Sequence, residues 1–171
     1  MQERSDRWLA IAVVGLAVAL ALALAITRAP PTDRGIDRGA AAFMLELIND
    51  ERAAHGLPAL TAARDVAEIA ERWSIAMADV RSLDHNPHYG EQFCCWEVAA
   101  ENVAWSEPHR IWRPGDPVER ITEELHVALL DSPGHRVNLL DPQVDQIGIG
   151  IYVDPGGSVW ITQNFRRYRS G

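Results

Sequence analysis

Lysine is absent from this sequence, and all 16 of its basic residues are arginines. Without lysine, the chain cannot form a Schiff base through a side-chain amine, and it cannot supply the lysine of a P-loop. Its 24 acidic residues leave a formal net charge of −8. Because proteins that bind nucleic acid usually present a basic face, this acidic balance predicts no nucleic-acid partner.

Cysteine is scarce, with two residues at the adjacent positions Cys94 and Cys95. An adjacent pair does not form the disulfide framework of a small secreted domain. His85 and His88 lie just upstream, but their spacing departs from the standard zinc patterns. We therefore interpret the cysteines as two small, partly buried hydrophobic residues. The His-Glu-x-x-His motif of zinc proteases and the Gly-x-Ser-x-Gly nucleophile elbow are also missing.

An unbroken apolar run extends from Leu9 to Ile26 and follows Arg4 and Arg7. A run of about 18 residues is the minimum that crosses a bilayer as a helix. Residues 1–28 are therefore predicted to form an uncleaved signal-anchor, with a cleaved signal peptide as the alternative. Either segment would place the remaining chain outside the cytoplasm. Residues 29–39 contain two prolines without apolar periodicity and are predicted to be a linker.

Residues 40–168 are predicted to form one domain that contains three helices of ordinary length. The first runs from about Ala40 to His55, with Gly56 just after its end. The second is predicted to be capped by Thr61. Its apolar stripe consists of Val66, Ile69, Ala70, Trp73, Met77 and Val80. The third begins with Asp116 and Pro117 as a cap. Its stripe consists of Val118, Ile121, Leu125, Ala128 and Leu129.

A short fourth helix is predicted around a histidine. Ser132 is a good N-cap, Pro133 suits the first helical position, and Pro142 limits the helix to about two turns. His135 then lies in the first turn, where the positive end of the helix dipole disfavours the imidazolium form. Neutral imidazole is the form that accepts protons and binds metals.

A β-hairpin is predicted directly after this helix. Alternating isoleucines and glycines lead from Ile147 to Val153, and Asp154–Gly157 form the turn. A second strand follows from Ser158 to about Arg166. One further strand is predicted near Ala99–Trp105, inside an otherwise irregular stretch.

Three of these segments resemble the bacterial members of the CAP superfamily, whose domain is also called SCP. This superfamily covers cysteine-rich secretory, antigen 5 and pathogenesis-related proteins. The segments are Ser132–Leu140, Ile147–Ile151 and Val159–Phe165, and the similarity extends back to about Phe43. The resemblance implies an α/β fold, an α-β-α sandwich in which helices enclose a small, mainly antiparallel sheet.

The resemblance also implies a pocket. His85 lies in a Leu-Asp-His-Asn segment similar to the one that supplies the first pocket histidine, and His135 matches the second. Glu101 matches the pocket carboxylate, although Ala100 stands where the family usually has glycine. A second acid, present in eukaryotic members, has no assigned counterpart here. The third helix offers Glu119, Glu123 and Glu124.

Two neutral imidazoles and one carboxylate suit Zn²⁺ or another divalent metal with open positions. Glu101 could be a ligand with His85 and His135, or it could orient a histidine or a bound water. Alternatively, the three side chains form a polar cluster that ties the helices to the sheet. The other histidines (His55, His88, His109 and His126) are assigned no functional role.

Three functions remain open. The first, which is favoured, is a binding module that is tethered to the membrane or secreted, and that holds a metal, small-molecule or lipid ligand in its cleft. The second is a metal-dependent, peptidase-like hydrolase in which His135 or Glu101 is the general base. The third is a structural interaction domain of the cell envelope.

Overall fold

The structure, a computed structural model, describes residues 35–93, 95–107 and 118–169. All of them belong to a compact unit that runs from Asp33 to Gly171. In this described part of the chain, no helix has both the length and the apolar character needed to cross a bilayer. The predictions that lie outside it concern segment 1–28, Cys94, His109, and the helix start at Asp116 and Pro117.

The centre of the fold is a small, mainly antiparallel sheet. Its long strands are β3 (Trp96–Ser106), β4 (Gln146–Val153) and β5 (Val159–Tyr168), and β5 pairs with both others in antiparallel register. Two short strands, β1 (Gly35–Ile36) and β2 (Thr61–Ala62), pair with the outer edge of β4. The mixed α/β fold and the predicted hairpin are confirmed.

Four α-helices surround this sheet within the described ranges, and a short 3₁₀ turn lies between α2 and β3. The helices are α1 (Arg38–Ala54), α2 (Arg64–Val80), α3 (Val118–Asp131) and α4 (Pro133–Leu139). The first helix begins earlier than predicted, because the Asp37 carboxylate accepts the Ala40 N–H at 2.9 Å and caps it. Strand β1 and this cap therefore lie within the stretch that was predicted to be a linker.

The predicted cap of α2 is wrong. Thr61 pairs as part of β2, where its N–H donates to the Asp145 carbonyl at 3.0 Å, and Ala63 donates to the Ile147 carbonyl at 2.9 Å. The edge of β4, distant in sequence, supplies these acceptors, so the helix begins only at Arg64. The end of the stripe also differs from the prediction. Val80 is 72% exposed, because α2 ends there.

Helices contact both the glycines and the isoleucines that alternate along β4. A Cβ atom at Gly148 or Gly150 would lie 2.2–2.3 Å from backbone atoms of α2, so only glycine lets this helix pack so closely. The alternate residues, Ile147, Ile149 and Ile151, share a core with residues of α1 and α3. Side chains alternate between the two faces of a strand. The glycine face of β4 therefore contacts the backbone of α2, and the isoleucine face contributes to the core.

The stripe of α3 is shifted from the prediction. Ile121, Leu125 and Leu129 are buried as expected, but Ala128 is exposed. Thr122 and His126 are buried instead. The Thr122 hydroxyl donates to the Val118 carbonyl at 2.9 Å, which satisfies this polar group inside the helix.

Cys95 is exposed, which contradicts its interpretation as a partly buried residue. It has a left-handed backbone (φ 67°) immediately before β3. Its carbonyl accepts the Arg169 N–H at 2.7 Å, beyond the last residue of β5. The residue therefore lies at the end of the sheet, outside the part that the helices cover.

Arg52, on α1, is fully buried and fixes the end of α4. Its guanidinium donates to the carbonyls of Pro58 (2.9 Å), Leu139 (2.8 Å) and Asp141 (3.0 Å). The Leu139 and Asp141 carbonyls lie where α4 ends and the chain leads to β4, and the Pro58 carbonyl lies in the segment after α1. Arg52 therefore helps to hold the short helix that carries His135.

Candidate functional site

Glu101 lies in the middle of β3, and its side chain is only 5% exposed. One carboxylate oxygen, Oε1, accepts the Asn86 N–H at 2.8 Å and lies 2.9 Å from Nδ1 of His85. The other oxygen, Oε2, is buried and has no hydrogen-bond partner among the described residues. Burial raises the pKa of Glu101, and the hydrogen bonds from Asn86 and His85 oppose this rise.

His85 lies in the irregular stretch after α2, and its side chain is 61% exposed. The contact with Glu101 fixes one side of the imidazole ring through Nδ1. Trp73 helps to hold this stretch, because its indole N–H donates to the Asp84 carbonyl at 2.9 Å. His85 is thus anchored on one side and accessible to solvent on the other.

His135 lies in the first turn of α4, as predicted. Its Nδ1 is 2.9 Å from the Ser132 hydroxyl oxygen. Ser132 is the N-cap residue by position, but its side chain makes no capping hydrogen bond, so the hydroxyl serves the ring instead. Burial lowers the pKa of His135, and the neighbouring His85 lowers it further. Desolvation is therefore the main reason that this imidazole stays neutral.

A network of side-chain amides fixes α4 against β3. The Asn102 amide donates to the His135 carbonyl and to the Gln163 side chain, both at 3.1 Å. The Asn138 amide donates to the Asn102 side chain at 2.9 Å and to the Glu101 carbonyl at 3.3 Å. The network therefore joins the backbones that carry the second histidine and the carboxylate.

These amides were not predicted as site residues. Asn102 directly follows Glu101, and Asn138 lies one helical turn after His135, so a helical reading places Asn138 beside the histidine. Gln163 is paired with Asn102 across β3 and β5. Gln163 lies within the polar run Thr162–Asn164 in a strand that begins apolar, and this run is the sequence signal for buried polar groups there.

The structure thus brings all three predicted residues, His85, Glu101 and His135, to one region of the molecule. It does not arrange them as a three-ligand metal site. In the described ranges, no group of three or more His, Cys, Asp and Glu side chains is placed to hold a metal ion. Glu101 has one oxygen engaged by two donors and the other sealed from solvent, so it does not face a shared ligand position.

The remaining histidines in the described part lie in other surroundings. His55, at the end of α1, meets the Glu51 carbonyl at 2.9 Å through Nδ1. His88 is exposed and lies 3.3 Å from the Glu91 carboxylate. Glu119, Glu123 and Glu124 are exposed on α3. None of these contacts involves His85, Glu101 or His135.

The family model of CAP, the cysteine-rich secretory protein family, matches residues 45–165. The chain belongs to this family. The match covers most of α1, all of β4, most of β5 and the three residues described above. It confirms the family that the C-terminal motifs indicated.

Two proteins from Bacillus species resemble this chain over most of its length. The uncharacterized protein YkwD of Bacillus subtilis is 33% identical over 130 residues, which are 71% of this chain and 45% of the relative. An extracellular protein containing an SCP domain from Bacillus anthracis is 28% identical, with a TM-score of 0.59 over 77% of this chain and 41% of that one. The chain therefore spans less than half the length of these two relatives.

The same fold occurs with little sequence identity. An outer surface protein from Borrelia burgdorferi is 15% identical, with a TM-score of 0.64. The similarity covers 80% of this chain and 99% of that protein. This likeness shows the fold.

Proposed function

We propose that this CAP protein is an extracytoplasmic binding module whose His85 and His135 form a two-histidine site for Zn²⁺ or another divalent cation. In this proposal Glu101 is not a ligand. It orients His85, as a carboxylate behind a metal-binding histidine commonly does. The domain would be an α-β-α sandwich. The bound cation would keep open coordination positions, and a small-molecule or lipid ligand would occupy them.

The observation that carries the proposal is the way in which both rings are held. Each imidazole has Nδ1 anchored, His85 on Glu101 and His135 on the Ser132 hydroxyl. In the described part of the chain, neither Nε2 has a hydrogen-bond partner. A neutral ring that donates through Nδ1 presents a lone pair at Nε2, which is the donor that zinc requires.

Two imidazole ligands suit a weakly bound cation with open coordination positions better than a structural metal ion. Structural zinc sites use four protein ligands, whereas two imidazoles leave positions for water or ligand. A bound cation would act there as a Lewis acid. The protein's own part is to orient both rings and to keep His135 neutral. The Glu101 contact orients His85, and burial lowers the pKa of His135.

A hydrolase needs a base that reaches the reacting atoms, and the geometry favours the binding role over this alternative. Glu101 Oε1 already accepts from Asn86 and His85, and Oε2 is sealed off. His135, with its lowered pKa, is the remaining candidate base. If the protein is a peptidase, His135→Ala should abolish peptide turnover. Turnover that survives this change would exclude His135 as the base.

The location outside the cytoplasm is supported by the run Leu9–Ile26 and by the extracellular relative from Bacillus anthracis. We propose that this run tethers the domain to the cell membrane, with a secreted form as the alternative. Membrane fractionation combined with N-terminal sequencing of the mature protein distinguishes the two. A mature protein whose first residue lies after residue 26 would exclude the tether.

Calorimetric titration of the full chain with Zn²⁺ tests the metal site. We expect binding in the wild type, and a loss of at least tenfold in affinity for His85→Ala and for His135→Ala. His88→Ala is the matched control, because His88 is also exposed and beside a carboxylate but lies outside the site. Equal heats for the wild type and the double variant His85→Ala/His135→Ala would rule out the proposed site.

A further inference from the structure

A cavity lies away from the histidines, between α1 and α2 at the outer edge of β4. Its volume is about 500 Å³, which is in the range of small-ligand sites. Its apolar lining comes from both helices and from the strand. The residues concerned are Ala41, Ala42, Leu45, Ala67, Ile147 and Ile149. We call this cavity the edge slot.

The floor of the edge slot is a part of β4 that neither short strand covers. The Ile147 carbonyl accepts the Ala63 N–H, and the Ile151 carbonyl accepts the Asp37 N–H, each at 2.9 Å. Both carbonyls thus point away from β5. Because backbone direction alternates along a strand, Ile149, two residues from each, points its own N–H and C=O the same way.

The Ile149 backbone has no hydrogen-bond partner on that side within the described residues. Its side chain belongs to the core, and the residue is only 7% exposed. Buried backbone donors and acceptors are almost always paired in native proteins. Ile149 also lines the edge slot, so its backbone N–H and C=O offer one donor and one acceptor to an occupant of the slot.

The charges around the edge slot are already balanced. Arg38 on α1 forms two hydrogen bonds with Glu71 on α2, at 2.9 and 3.0 Å. Arg64 and Glu68 pair at 3.0 Å along α2. Two arginines and two glutamates leave no net charge, so the slot favours a neutral occupant.

We propose that the edge slot binds a short, neutral, extended peptide segment. One residue of the peptide pairs with Ile149 as in an antiparallel sheet, exchanging an N–H and a C=O in both directions. The open edge from Ile147 to Ile151 spans about 13 Å, which suits about three residues. The apolar side chains of the peptide lie against the alanines of α1 and α2 and against Leu45. This site shares no residue with the histidine pair and does not depend on it.

The probe is the blocked tripeptide acetyl-Ala-Val-Ala-amide, titrated into the ¹⁵N-labelled full chain. We expect the Ile149 amide resonance to shift in a saturable way. The matched probe carries N-methylvaline, which has the same apolar surface but donates no hydrogen bond from the central residue. Its affinity should be about tenfold lower, the value of one good hydrogen bond. Equal affinities, or no shift at Ile149 with millimolar peptide, would overturn the proposal.

A substitution that fills the slot provides the second test. Ala42 is an exposed wall residue, so Ala42→Phe should block the slot without disturbing the core and should weaken peptide binding at least tenfold. Ala53→Phe is the control, since Ala53 is exposed on the same helix outside the slot. Thermal unfolding confirms that both variants fold. Unchanged binding by Ala42→Phe, or tighter binding of an alkane chain without an amide than of the tripeptide, contradicts the assignment.

Discussion

At the scale of single residues, β4 depends on two glycines. Gly150 lies against the Ala70 backbone of α2, where an added Cβ would approach to 2.3 Å. The contact is with helix backbone, which cannot move aside as a side chain can. Packing at this position therefore has no room for even one methyl group.

Gly150→Ala is expected to lower the free energy of unfolding by about 3 kcal/mol, because α2 must move away from the sheet. Gly134→Ala is the matched control. Gly134 lies in α4, and a Cβ atom there meets nothing within 4 Å. Its stability should change by less than about 1 kcal/mol. Urea unfolding of both variants measures the difference, and similar losses for the two would refute the close-contact explanation.

At the scale of elements, the short helix α4 depends on contacts from other parts of the chain. Seven residues form few internal hydrogen bonds, and isolated helices of this length are not stable. Arg52 supports its C-terminal end from α1, and the amides of Asn102 and Asn138 support its contact with β3. The position of His135 is therefore a tertiary property.

Arg52→Met should lower the free energy of unfolding by about 2–3 kcal/mol, since it leaves several buried carbonyls without a donor. Arg64→Met, which removes a largely exposed arginine from an (i, i+4) pair on α2, should cost at most about 0.5 kcal/mol. Chemical unfolding compares the two. Equal small losses would show that Arg52 does not secure α4.

Sequence periodicity predicts the helices and the hairpin because both depend on local apolar spacing. It fails where a distant backbone supplies the partner. Thr61 has the chemistry of a helix cap, but its N–H donates to the Asp145 carbonyl, and the residue belongs to β2. Likewise, the Ser132 hydroxyl contacts the His135 ring and does not cap the helix. The metal role of the site stays a prediction, because neither motif nor fold fixes the cation.

At the scale of the whole molecule, we expect stability to depend on pH through the buried His126. His126 lies on the buried face of α3, and its Nδ1 has no partner among the described residues. Burial lowers its pKa below the ordinary value of 6.5, although the charges of Glu51 and Glu123 oppose this. Between the folded pKa and 6.5, the unfolded chain binds more protons than the folded one. Stability from this group is thus complete above 6.5 and is lost as the pH falls through the folded pKa.

His126→Leu should remove the loss of stability at low pH. It should also raise the free energy of unfolding at pH 7 by about 1 kcal/mol, because carbon replaces an unpaired buried nitrogen. His88→Leu, at an exposed position, should change neither quantity measurably. Urea unfolding at several pH values between about 7.5 and 5 checks both. A pH dependence that is the same in wild type and His126→Leu would contradict the assignment.

The glycines of β4 also have a consequence for how the sheet assembles. If β4 paired with β5 one residue out of step, isoleucine side chains would point at the backbone of α2, where no Cβ fits. The helix then could not dock at all. Of the two registers, the alternation of glycine and isoleucine therefore allows only the native one to accept α2 against the sheet.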